Sequence, residues 1–157
     1  MQITYLNYFL ASITAYLGLL LGVILIKLAH EEQKSGREYF VFIKNILFFL
    51  IILFLLLFYK LDIILTVILL AFAVILMLNK KIDLEKSGRV YFFLGVIFYL
   101  SYFSKIFNLF VIETVLILLF GIPTSSLILK LREKNYYSVF VSNLWFFVPI
   151  ISLYLIL

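Results

Sequence analysis

A chain of 157 residues with 66% hydrophobic and 13% charged side chains is no ordinary water-soluble domain, since those run at about 45–50% apolar and about 25% charged. The net charge of +5 is modest and confined to short segments, so nucleic-acid binding is not expected. With no cysteine, disulfides, thiolate nucleophiles and thiolate metal ligands are excluded.

A bilayer suits this composition, and one crossing takes about 20 apolar residues as a helix. The first such segment runs from Thr4 to Leu28. It lacks the basic leader and small-residue cleavage site of a signal peptide, so it is expected to stay as an anchor. After the polar connection 30–37 comes an apolar run from Tyr39 to Leu78. One helix of that length would measure about 60 Å, twice the hydrocarbon thickness. The run must fold back, and Tyr59-Lys60-Leu61-Asp62 is the charged cluster near its middle. This predicts helices over 38–59 and 61–79. Beyond the connection 79–89, the same reasoning splits the next run at Ser104–Asn108, giving helices over 89–107 and 109–130. The connection 130–135 then leads to a sixth helix, Tyr136–Leu157. The expected fold is an all-α membrane protein, a single bundle of six transmembrane helices in three tandem helical hairpins (4–59, 61–107 and 109–157).

An internal repeat underlies that division. Lys34-Ser35-Gly36-Arg37 with Tyr39 and Phe40 recurs as Lys86-Ser87-Gly88-Arg89 with Tyr91 and Phe92, and more weakly as Lys134-Asn135 with Phe140. Thr14, Thr66 and Thr114 precede the three copies at equal distance. Ser35, Ser87 and Asn135 suit helix N-caps, whose side-chain oxygen accepts a bond from an orphan amide. Tyr39, Tyr91, Tyr136 and Tyr137 then fall at a membrane interface. Arg37 and Arg89 also leave open a contact with a lipid phosphate or a partner.

Orientation follows from Lys and Arg in the short loops. Lys27, Lys34, Arg37, Lys44, Lys80, Lys81, Lys86, Arg89, Lys130, Arg132 and Lys134 flank the connections after helices 1, 3 and 5. These are all but Lys60 and Lys105 of the 13 basic residues. The connections 30–37, 79–89 and 130–135 are therefore expected in the cytoplasm and both termini outside.

Three groups of residues stand out as candidate sites. Ala11, Ala15, Gly18 and Gly22 form a small-residue face on the first helix, suited to close helix approach within the bundle or to docking of a partner. Pro123, followed by Thr124, Ser125 and Ser126, is expected to kink helix 5. With Tyr102, Glu113 and Asn143 these residues form a candidate polar pocket. Lys60 with Asp62, and Lys105 with Glu113, flank the outer turns and are expected to pair near the interface. No catalytic, metal or cofactor site is expected. His30 is the one histidine, and no G-x-S-x-G or phosphate loop occurs. Asp62 and Asp83 fall on opposite sides of the predicted membrane.

Three two-helix units with short basic loops resemble, in layout alone, the membrane input regions of multi-pass sensor proteins, although no soluble output domain is expected after the sixth helix. The six-helix layout is also similar to small substrate-capturing subunits of modular importers. That similarity implies an expectation of fold, with no functional residue attached. The expected function is a non-catalytic scaffold or sensor-like subunit acting through helix contacts with a membrane-protein partner or a second copy, in contact with membrane lipids. The alternative is a small-solute transporter or its substrate-binding subunit, with its pocket beside the helix 5 kink.

Overall fold

The computed structural model describes residues 4–28, 36–60, 63–78, 87–129 and 136–156, which are helical with no strand among them. The helices are α1 (Tyr5–Leu28), α2 (Arg37–Phe58), α3 (Ile63–Leu78), α4 (Ser87–Phe103), α5 (Phe107–Ile128), α6 (Tyr136–Asn143) and α7 (Phe147–Ile156). A 3₁₀ turn, Leu144–Phe146, joins α6 to α7 without a gap, so the last two form one jointed rod and the rods number six. Among the described residues, α1, α2 and α5 are long and apolar enough to cross a membrane. Their outward surface is apolar too: Ile13, Leu17 and Ile24 on α1 and Phe42 and Ile46 on α2 are exposed. A soluble monomer rarely shows such a contiguous apolar surface. The protein has the build of a membrane protein.

Helix α5 is the centre. It packs most extensively on α1, then on α2, and also on α4. Its contact with α1 is backbone to backbone. A Cβ placed on Gly18 would collide with the Leu118 carbonyl, and one on Gly121 would lie 2.6 Å from both the Gly18 carbonyl carbon and the Leu19 amide nitrogen. Gly22 meets Ile122 and Ser125 one turn on, so α1 and α5 run parallel. Helix α4 crosses the jointed rod in the same manner. Gly88 abuts the Ser142 carbonyl, and Gly95 abuts Phe146 and Pro149, again in parallel. In lipid, close packing rather than hydrophobicity holds helices together, and glycine permits it.

The expected hairpins are not the packing units. Adjacent helices that do pack are α2 with α3 and α4 with α5, the pairs joined by the tight turns at Lys60 and Lys105. Both lysines sit in the left-handed region, with φ of 49° and 58°. Their amides bond back to the Leu57 and Tyr102 carbonyls, a helix ending usually taken by glycine. The Tyr59 hydroxyl donates to the Leu100 carbonyl at 2.8 Å and brings the two turns to one end. At the other end Lys44, Asn45 and Phe48 of α2 meet Val90 of α4 and Phe120 of α5. Lys27, Arg37, Lys44 and Arg89 thus lie toward the end opposite Lys60 and Lys105.

The sixth helix, expected to run unbroken over Tyr136–Leu157, is instead jointed. Pro149 has no amide to give the Trp145 carbonyl, and its ring crowds the preceding turn. The 3₁₀ winding at Leu144–Phe146 falls in that turn. Pro123, by contrast, sits inside an α5 assigned as helix throughout.

Two stability tests follow, each read by denaturant-induced unfolding in detergent. Gly121→Ala is expected to cost about 1–3 kcal/mol by overpacking backbone against backbone. Lys105→Gly is expected to gain on the order of 1 kcal/mol by relieving a left-handed non-glycine residue.

Candidate functional site

The three groups of candidate residues do not converge. Ala15, Gly18 and Gly22 are buried and Ala11 is partly so, with Gly18 and Gly22 directly against α5. That face is already occupied within the chain and is not available to a partner, because backbones in contact leave no room for a second helix.

The polar pocket is dispersed along the bundle. Glu113 and Pro123 are ten residues apart on one helix, about 15 Å. Tyr102 lies at the opposite end from Pro123, its ring 4.5 Å from that of Tyr8. The hydroxyls beside Pro123 turn back on their own helix. Thr124 Oγ1 donates to the Phe120 carbonyl at 2.7 Å and Ser125 Oγ to the Ile122 carbonyl at 3.0 Å, while Ser126 is buried. Asn143 Nδ2 donates to the Val139 carbonyl at 2.6 Å. Thr114, Ser12 and Ser101 likewise bond carbonyls three or four residues back. Such bonds satisfy a hydroxyl in lipid without lining a solute path.

The loop motif is only partly in view. Ser35 and Asn135 lie outside the described residues. Gly36 takes the N-cap position of α2 and offers no side-chain bond, and Ser87 is the first residue of α4. Arg37 and Arg89 are exposed. Tyr39 and Tyr137 are exposed as expected of interfacial rings, but Tyr91 is fully buried between Tyr16, Phe120 and Phe146. Equal positions in the first two copies of the motif therefore do not share an environment.

The largest departure concerns Glu113. It is fully buried, and neither carboxyl oxygen has a hydrogen-bond partner among the described residues. Lys105, its expected partner, is exposed at the outer turn. The other pair, Lys60 with Asp62, includes a residue outside the described segments. Asn143 Oδ1 and the Tyr99 hydroxyl are also buried without a partner among the described residues. Sequence reasoning placed Glu113 by counting residues from the turn, which gives height along the helix but not which neighbours close over it.

Among the described residues no cluster of three or more His, Cys, Asp or Glu side chains is placed to hold a metal ion. One small cleft opens where α2, α4 and α5 meet, about 210 Å³ including its mouth and lined by Lys44, Asn45, Phe48, Val90 and Phe120. Phe120 is among its lining residues and Pro123 is not.

Two tyrosines tie the jointed rod to α1. Tyr16 OH donates to the Phe140 carbonyl at 2.6 Å, just before the 3₁₀ winding, and Tyr8 OH donates to the Ile150 carbonyl at 3.1 Å. No protein-family model, curated protein or solved structure matches the chain.

Replacing Glu113 by leucine is expected to stabilise the folded protein by on the order of 1 kcal/mol or more, because a buried polar group without a partner is exchanged for an apolar one. Unfolding in detergent measures it. Tyr16→Phe is expected to lose about 1 kcal/mol or less in the same assay, the usual worth of an interhelical bond in lipid.

Proposed function

We propose that the protein crosses the membrane six times, with both termini outside and residues 30–37, 79–89 and 130–135 in the cytoplasm. It works as a non-catalytic subunit that engages a transmembrane helix of a partner protein. The basic residues near one end of the bundle support the orientation. At 16 and 17 residues, α3 and α4 measure about 24–26 Å. They are somewhat short for a core of about 30 Å. Local thinning, with Lys60 and Lys105 reaching to the headgroups, accommodates that difference.

The observation that carries the partner reading is the position of α3. Among the described residues it packs appreciably on α2 alone. Ile64, Leu65, Val67 and Ile68 are exposed. With the small-residue face of α1 consumed internally, α3 is the least embedded helix as far as the described residues go. The return of the α5 hydroxyls to their own backbone also fits a packed subunit better than a solute channel at Pro123.

Orientation is tested by placing single cysteines in this cysteine-free chain. Ser35→Cys and Ser87→Cys are expected to react with an impermeant thiol reagent only from the cytoplasmic side, and Ser104→Cys only from outside. Reaction of Ser35→Cys and Ser87→Cys from opposite sides overturns the topology. A photo-crosslinking residue in place of Ile68 is expected to capture a discrete membrane protein in native membranes. Adducts with lipid alone overturn the partner reading.

A further inference from the structure

The junction of α2, α4 and α5 holds a carboxyl that neither the packing nor the partner reading uses. On α5, Glu113, Ile117, Phe120 and Thr124 share one face by helical spacing. Phe120 shows where that face points, since its ring lies 6.1 Å from Phe48 of α2 and 6.1 Å from Tyr91 of α4. Opposite it, α2 presents Lys44, Phe48, Ile51 and Leu55, and α4 presents Val90, Leu94, Ile97 and Ser101, each at the same spacing. Lys44, Phe48, Val90 and Phe120 line the cleft at the end bearing Arg37 and Arg89. Two helical turns deeper, about 10 Å, the same three stripes arrive at Glu113, Ile97 and Leu55.

The ionisable groups on the surrounding elements can be named. On α2 the facing stripe carries Lys44 alone, at the cleft and three turns above Leu55. On α4 the phenols are Tyr91, beside Phe120, Tyr99, and Tyr102, whose ring lies 6.2 Å from that of Phe110 on α5. Helix α1 packs on a different face of α5, and its Tyr8 and Tyr16 hydroxyls are committed to carbonyls of the last rod. No cationic side chain on these facing stripes stands at the depth of Glu113. A bare carboxylate there would be uncompensated. A metal cation shorn of its water needs about six oxygen ligands, whereas helical spacing puts Ile51, Leu55, Leu94 and Ile97 at and above this depth, and Ser101, one turn below, gives its hydroxyl to the Phe98 carbonyl. A proton needs one oxygen.

We propose that Glu113 is a proton-binding site, loaded and unloaded through the Lys44–Asn45 cleft, with Phe48 and Phe120 closing the path between them. The closed packing is the loaded form. Loss of the proton leaves a charge that the junction cannot solvate, and water follows it in from the cleft.

Infrared spectroscopy of the protein in lipid tests this directly. A carboxylic-acid carbonyl band is expected at neutral pH, absent in Glu113→Gln, and shifted on transfer to heavy water. Phe48→Ala is expected to speed that exchange severalfold, while Leu109→Ala, which opens space on the far side of Glu113, leaves it unchanged. In the unsubstituted protein a lipid-soluble carbodiimide, which attacks protonated carboxyls, is expected to label Glu113, read by mass spectrometry. This arm holds even if Glu113→Gln does not fold. Absence of both the band and the adduct overturns the site. Equal acceleration by Phe48→Ala and Leu109→Ala overturns the route.

Discussion

The bundle depends on one contact, the backbone of α1 lying against the backbone of α5 at Gly18, Gly22 and Gly121. In water, burial of apolar surface would draw these helices together, but lipid chains are as apolar as leucine and supply no such drive. What remains is the number of atoms in contact, which falls quickly with separation. Glycines at the crossing allow α5 to be held by α1 while α2 and α4 close on its other sides. Around this axis the aromatic rings fill the interior. Tyr8 alone has the rings of Phe98, Tyr102, Phe110 and Tyr154 within 6.4 Å.

Such tight packing explains how α5 carries so many polar groups. A serine or threonine in a helix can satisfy its hydroxyl on a carbonyl one turn back, so Thr114, Thr124 and Ser125 need nothing from neighbouring helices. A carboxylate has no such option, because it only accepts bonds and the helix amides are already engaged; it gains a donor only when it takes up a proton. Glu113 is therefore chemically distinct from the hydroxyls on the same helix, although all are buried. The contrast between the two prolines has a related origin. Pro123 is followed by hydroxyl residues on a helix gripped on three sides, whereas Pro149 lies in the last rod, where a 3₁₀ turn takes up the mismatch and Tyr16 donates to a carbonyl beside it.

Much of the helical layout was legible in the sequence because hydropathy and chain length leave little choice. A run of forty apolar residues has to turn, and the charged cluster marks where. All six rods lie close to the expected ranges, with α4 ending at Phe103 rather than 107. The small-residue face of α1 was legible as a contact surface, but not its occupant. The glycine at the matching position, Gly121, is the one glycine of its helix, so no G-x-x-x-G marks it as the other half of the contact. The break in the sixth helix had a signal in Pro149, which lacks a donor for the Trp145 carbonyl, although the expected helix Tyr136–Leu157 ran through it. The burial of Glu113 was not legible, since it depends on three stripes from separate helices meeting at one height. The repeated loop motif was plain in the letters, yet Tyr39 and Tyr91 end in opposite surroundings, because α4 is an inner helix and the start of α2 an outer one.

These contacts divide the bundle into parts held with unequal strength. Helix α1 is locked to α5, and α4 to the last rod, by glycine crossings in which main chains touch, and α4 adjoins α5 through a tight turn. Helices α2 and α3 have no such crossing in common with the rest. The described glycine contacts omit them, and α2 meets α5 along a face that includes the Phe48–Phe120 ring contact and the cleft above it. Side chains that meet through rings can separate by rotating and shifting, while interlocked main chains cannot separate without moving whole helices. The joint best able to yield is thus the one between α2 and the α4–α5 pair, and that joint covers the buried carboxyl. Helix α2 also carries α3, which among the described residues packs appreciably on α2 alone, so a movement of α2 at that joint takes α3 with it.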